Sequence, residues 1–159
     1  MNIGKINMFK VNKMTDYAIV CIGILSKQLD EFLNAQEISS QSGLSLFTVQ
    51  KILKILASKS DILITLRGTN GGYKLSKPAS EILIIQIIEM LDGPIKITSC
   101  VDGADEVCNC SDLCLLQGNW NKVNQALVKS LSSFSVEDLL HSGNLFSLKN
   151  KNNLQQILN

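Results

Sequence analysis

Four of the five cysteines fall within fifteen residues, in the run Cys100-x7-Cys108-x-Cys110-x3-Cys114. Thiolate is a soft ligand that favours zinc, copper(I) and iron–sulfur centres, so this one stretch carries enough donors for a closed metal site. The same thiols could instead serve as a redox pair. The N-terminal stretch has lysines but no continuous apolar segment of the kind a secretion signal needs, so a cytoplasmic location is expected. A reducing compartment argues against a disulfide framework and for metal binding or thiol chemistry. The Cys-x-Cys-x-x-x-Cys spacing is not that of the usual paired zinc knuckle. Cys21, the fifth thiol, lies in an apolar helical pattern and reads as a small core residue. The only histidine, His141, sits in a polar tail, and no nucleophile–base pair is evident, so an enzyme is not expected.

The thiols lie downstream of a basic region. The net charge of +1 hides an asymmetry. Residues 44–77 carry Lys51, Lys54, Lys59, Arg67, Lys74 and Lys77 against Asp61 alone. Residues 78–116 carry Lys96 against Glu81, Glu89, Asp92, Asp102, Asp105, Glu106 and Asp112. A basic face beside an acidic segment suits phosphate contacts on one side only.

The elements that position these groups follow from apolar spacing. Ala18, Ile19, Ile22, Leu25 and Leu29 predict a helix over 15–29, capped by Thr15 or Asp16. Asn34-Ala-Gln-Glu37 has the form of a capping box and opens a short helix to Ser42. Gly43 makes the turn. Ser45 caps a second helix, 46–58, whose buried stripe is Val49, Ile52, Leu53 and Leu56. Ile62–Thr65 and Tyr73–Leu75 predict two strands joined through Asn70-Gly71, a favourable hairpin turn. A helix-turn-helix followed by a hairpin is a winged helix. Gly71 and Gly72 read as tight-turn residues. A mostly buried helix over 82–91 is ended by Asp92-Gly-Pro94. Its apolar run, interrupted by Gln86, is far too short to span a membrane. A long amphipathic helix over 116–131 places Trp120, Val123, Leu127 and Leu131 on one stripe, and Ser135-Val-Glu-Asp138 caps one more turn.

Thr15-Asp-Tyr-Ala18, Arg67-Gly-x-x-Gly-Gly-Tyr73, Asp92-Gly-Pro94, the cysteine run and Trp120-x-x-Val-Asn124 occur in this order. Together they resemble the Rrf-type winged-helix regulators over roughly residues 13–140. That family includes regulators of iron–sulfur assembly and nitric-oxide sensors. The Cys110-x-x-x-Cys114-Leu-x-x-x-x-Trp120 stretch looks nearest to the branch that governs the SUF assembly system.

The resemblance implies a mainly α fold with a small β-hairpin wing: a winged helix-turn-helix plus a long dimerisation helix. The expected layout is an N-terminal extension (1–12), a DNA-binding domain (13–92), a cysteine-rich cluster-binding loop (93–116), a dimerisation region (117–140) and a flexible tail (141–159). It also implies a homodimer, and an iron–sulfur cluster, [2Fe–2S] or [4Fe–4S], that tunes binding to a double-stranded operator. The family's cysteine spacing maps onto Cys100, Cys108 and Cys114. Cys110 is extra: a spare ligand, an oxidation-sensitive partner, or a thiol without a role. Some relatives use a histidine three residues after the last cysteine, where this chain has Gln117. Others use an aspartate at the start of the first helix of the other subunit, which maps onto Asp16. Asp16 also suits a helix N-terminus simply through the dipole. The acids around the thiols should lower the potential of a cluster. Four thiolates around zinc remain the rival arrangement.

On the DNA side, Ser45, Thr48, Gln50 and Lys51 lie off the buried stripe and could face base edges or phosphates, with Lys54 on phosphate. Arg67 would enter a narrow minor groove from the wing, as the resemblance implies, and Lys74 and Lys77 would hold backbone. One departure from the family is Ser58-Lys-Ser-Asp61, which stands where relatives usually have a glycine-containing turn.

Overall fold

The computed structural model describes residues 11–68, 71–98, 100–102 and 119–140. In chain order these form α1 (Lys13–Leu25), α2 (Ala35–Ser42), α3 (Leu46–Lys59), β1 (Leu63–Leu66), β2 (Gly72–Leu75), a 3-10 turn (Ala79–Glu81), α4 (Ile84–Asp92), α5 (Asn119–Leu131) and α6 (Val136–Leu140). Among the described residues no helix is long and apolar enough to cross a membrane.

Helix α1 starts two residues earlier than its apolar pattern suggests. Asn12 is the cap, and its side chain accepts from the Met14 amide. Thr15 is wholly buried inside the first turn, where its hydroxyl donates to Asp92 Oδ2 at 3.0 Å. The same carboxylate oxygen accepts the Asn12 amide at 3.1 Å, so the end of α4 holds the start of α1. The helix also stops before Leu29. Beyond Ser26 the amides of Lys27 and Gln28 bond three residues back rather than four, and Leu29 is exposed. Propensity alone did not locate this stop, because hydroxyl and turn bonds close it: Ser26 Oγ donates to the Gly23 carbonyl.

The α2 cap is as the sequence suggests. Glu37 N–H donates to Asn34 Oδ1, and Asn34 N–H donates to Glu37 Oε2. Gly43 has φ +72°, and its N–H closes α2 on the Ser39 carbonyl. Serines also solve the missing glycine after α3. Ser60 Oγ donates to the Leu56 carbonyl at 2.7 Å and accepts the Ile62 amide, so hydroxyls finish the helix and start the wing.

The wing pairs β1 and β2 antiparallel, with Leu63 opposite Leu75 and Leu66 opposite Gly72. A third segment joins it. Leu33 N–H donates to the Tyr73 carbonyl at 3.0 Å, and Tyr73 N–H to the Leu33 carbonyl at 2.8 Å. Gly72 is therefore more than a turn residue: a Cβ there would lie 2.6 Å from the Leu33 carbonyl oxygen. Thr69 and Asn70, and with them the Asn70-Gly71 turn, lie outside the described residues, although Gly71 N–H does close on the Gly68 carbonyl.

Among the described residues two apolar cores form. The first gathers Ala18, Cys21, Ile22 and Leu25 of α1, Ile38 of α2, Val49, Ile52, Leu53 and Leu56 of α3, and Leu63 and Leu75 of the wing. The second lies against α4, where Ile84, Ile85, Ile88 and Ile95 meet Leu127, Val128, Leu131 and Phe134. Helix α4 divides them, because its Ile87 belongs to the first. Gln86 does not merely interrupt the apolar run; its Oε1 accepts the Leu83 amide at the helix start. The expected α5 stripe needs correction. Val123 is exposed, and Asn124 takes the buried position. Residues 116–118 of that expected helix lie outside the described residues.

Candidate nucleic-acid interface and metal centre

Helix α3 turns Val49, Ile52, Leu53 and Leu56 inward. At 100° per residue, the opposite side carries Phe47, Gln50, Lys51, Lys54 and Ser58, all exposed. Residues 44–60 contain no acidic residue, so the charge on this face is that of Lys51 and Lys54, unopposed. Ser45 is the helix cap. Its Oγ accepts the Thr48 amide at 3.2 Å and lies 2.8 Å from the Thr48 hydroxyl, so these two side chains are engaged with each other.

Between α3 and the wing lies an open cleft lined by Lys54, Ser58, Arg67 and the start of α2 at Asn34 and Ala35. Arg67 is exposed just after β1. The remaining wing cations are partly occupied. Lys74 Nζ sits 4.9 Å from the centre of the Phe32 ring, a cation–π contact. Lys77 pairs with Asp61 at 3.7 Å. The structure thus brings Gln50, Lys51, Lys54 and Arg67 to one side and leaves them open. It gives Ser45, Thr48, Lys74 and Lys77 local partners.

The thiol region is held by asparagines that the apolar spacing does not single out. Asn124 Nδ2 donates to the Ile95 carbonyl at 2.9 Å, and its Oδ1 accepts the Ile97 amide at 3.1 Å. Asn121 Oδ1 accepts the Asp102 amide at 2.9 Å. Cys100 is half-buried between these anchors, with its amide on Thr98 Oγ1. Cys108, Cys110 and Cys114 lie outside the described residues, as do Asp105, Glu106 and Asp112. Asp16 is exposed on the first turn of α1, where it is not needed for the cap. Cys21 is fully buried, and burial pushes its thiol up to about 11 from an ordinary 9.0. It is a core residue, remote in character from a reactive thiolate.

The signals for what sequence reasoning missed are specific. Asn124 sits at stripe spacing from Trp120, Leu127 and Val128, which marks it as buried and therefore as needing partners. Phe47 sits among polar residues on the outer side of α3, the wrong side for a core aromatic.

Comparison with known proteins fits this arrangement. The profile of the Rrf2 family, described as "Iron-dependent Transcriptional regulator", matches residues 11–142. The chain belongs to the Rrf2 family. It is 35% identical over 133 residues to the HTH-type transcriptional regulator NsrR of Oceanobacillus iheyensis, covering 82% of this chain and 88% of that protein. It is 31% identical over 125 residues to the HTH-type transcriptional regulator IscR of Photorhabdus laumondii, covering 74% of each. Its fold is similar to that of CymR, titled the global cysteine regulator of B. subtilis, with a TM-score of 0.61, 23% identity, and coverage of 84% of this chain and 97% of that one.

This Rrf2-family chain is a winged-helix transcription regulator that binds DNA, and the named relatives are regulators rather than enzymes. They carry different names within the family, so the SUF branch suggested by the cysteine spacing goes forward only as part of the proposal below.

Proposed function

We propose that this chain binds its operator as a cytoplasmic homodimer and that an iron–sulfur cluster sets its affinity, most plainly as a repressor of iron–sulfur assembly genes of the SUF type. The observation that carries the DNA half is the acid-free exposed face of α3 beside Arg67. That face enters the major groove, with Gln50 positioned for adenine and Lys51 and Lys54 on phosphate. Arg67 reaches the neighbouring minor groove, and Lys74 and Lys77 stay near the backbone. Ser45 and Thr48 shape the end of the helix that faces the groove. The layout of extension, DNA-binding domain, cluster loop, dimerisation region and tail follows this division of labour.

The donor set suits the cluster chemically: several thiolates on one stretch, with Cys100 partly exposed at its head. Cys100, Cys108 and Cys114 would hold three iron positions, with Cys110 in reserve and Asp16 of a second copy as the oxygen ligand. A bound cluster supplies iron that responds to oxidants and to competing ligands. The chain's part is positional, because Asn121 and Asn124 tie the segment bearing Cys100 to α5. The exposed side of α5 at Val123 is the surface offered to the second copy.

A second reading keeps the DNA binding and replaces the cluster with a structural zinc or a redox thiol pair. The extra thiol, Cys110, favours it, as does the fold shared with a protein titled as a cysteine regulator.

Anaerobic purification followed by a visible spectrum and assay of iron, sulfide and zinc separates the two readings. A broad visible band with matching iron and sulfide, lost in Cys100→Ala, is expected. A colourless zinc protein would leave only the DNA-binding half. In titrations with duplexes, Arg67→Ala should weaken A/T-rich sites most, while Lys54→Ala should weaken all sequences alike. Equal loss from both, whatever the sequence, would count against minor-groove reading.

A further inference from the structure

Phe47 is 78% exposed, the most exposed of the large apolar side chains among the described residues. A single exposed aromatic is ordinary on a protein surface. What sets this one apart is where it stands. It lies at the start of α3, on the same side as Gln50, Lys51 and Lys54, and α3 has no acid. The hydroxyls nearest it, on Ser45 and Thr48, are 2.8 Å apart and turned to each other. The ring is the apolar group that this end of the helix presents beside Gln50.

A cationic face with one aromatic at its leading end suits a polyanion that displays an apolar spot in a groove. In the major groove of DNA that spot is the C5-methyl of thymine. We propose that Phe47 is a base-reading residue whose ring lies against a thymine methyl, next to the base addressed by Gln50, three residues along the helix. This rests on the operator-binding reading above and adds a specificity determinant to it. The contact is apolar, so it selects T over C without a hydrogen bond and adds no salt dependence.

The test uses the full chain, purified anaerobically, and selection from random duplexes. Each thymine of the selected half-site is then replaced by deoxyuridine, which removes only the methyl group. Wild type should lose about fourfold in affinity at one thymine position, the effect of one buried methyl. Phe47→Ala should be indifferent to the same replacement, and Phe47→Leu should keep part of the preference. Both variants should fold, since the ring is exposed.

Wild-type binding that is unmoved by deoxyuridine at every position would overturn the proposal while leaving operator binding intact. So would a changed assembly state with unchanged base preference, which would put Phe47 in a contact between copies. Failure to select any duplex would overturn the operator reading as well.

Discussion

The core around α1, α2 and α3 closes on side chains that are wholly buried, whereas the one on the outer side of α4 is completed by α5 residues that remain half-buried. The first is held by apolar interlocking, by local caps on α2 and α3, and by the Asp92 carboxylate on the start of α1. The second depends on polar bonds from Asn121 and Asn124 to distant backbone. The first core also draws in Ile82, Ile87 and Val136 from beyond the wing, whereas among the described residues the backbone at 95–102 is anchored on α5 by two asparagine side chains.

The sharpest way to break this comparison is by truncation in each core. Leu53→Ala, in the first core, should cost about 2–5 kcal/mol in urea denaturation. Leu127→Ala, in the second, should cost about 1 kcal/mol, because less of the side chain leaves water. Equal costs would show that the cores are held alike.

Asn124→Leu should cost about 2–3 kcal/mol by leaving the Ile95 carbonyl and the Ile97 amide without their partner. Asn124→Asp keeps the acceptor for Ile97 and should fall between this and wild type. Amide exchange at Ile97 and Asp102 should speed up in Asn124→Leu while the amides of α3 stay protected; faster exchange in both would erase the distinction.

Titration offers a third probe, confined to the first core. The Cys21 thiol is raised in the folded state to about 11 from 9.0. The unfolded chain releases this proton first, so stability is full below pH 9 and falls progressively up to about pH 11. The loss should be on the order of 2 kcal/mol. Cys21→Ala should flatten that slope relative to wild type; an unchanged slope would exclude Cys21 as its source.

The smallest effect is expected at the rim. The Lys77–Asp61 contact has an exposed aspartate, so Lys77→Ala should change stability by less than about 0.5 kcal/mol. A larger change would give the wing root an importance that its geometry does not suggest.

How far the sequence could be read follows the same division. The Asn34–Glu37 box, the Gly43 turn, the Ser45 cap and the inward stripe of α3 were legible because each is set by residues a few positions apart. The start of α1 was misplaced because Thr15 looks like a cap until the carboxylate of Asp92 is seen to hold its hydroxyl. The stripe of α5 was misjudged at position 123 because a buried Asn124 makes sense only once residues 95–97 supply its partners. The Leu33–Tyr73 pairing joins residues forty apart and leaves no local signature. Within the candidate site, the basic face was readable from charge alone, whereas the mutual engagement of Ser45 and Thr48 needed coordinates.

The Leu33–Tyr73 bonds, with Gly72 letting the two backbones close in, fasten the wing root to the residue before the α2 cap. Because α2 packs on α3, helix and wing form a caliper of set opening. Laid on a duplex, such a caliper counts. If α3 and Arg67 take the grooves proposed above, the number of base pairs between the stretch under α3 and the stretch under Arg67 should be constant from one operator to the next, since each added pair turns the groove by roughly 34° away from the side chain. Under that proposal its operators would vary in letters but keep their interval.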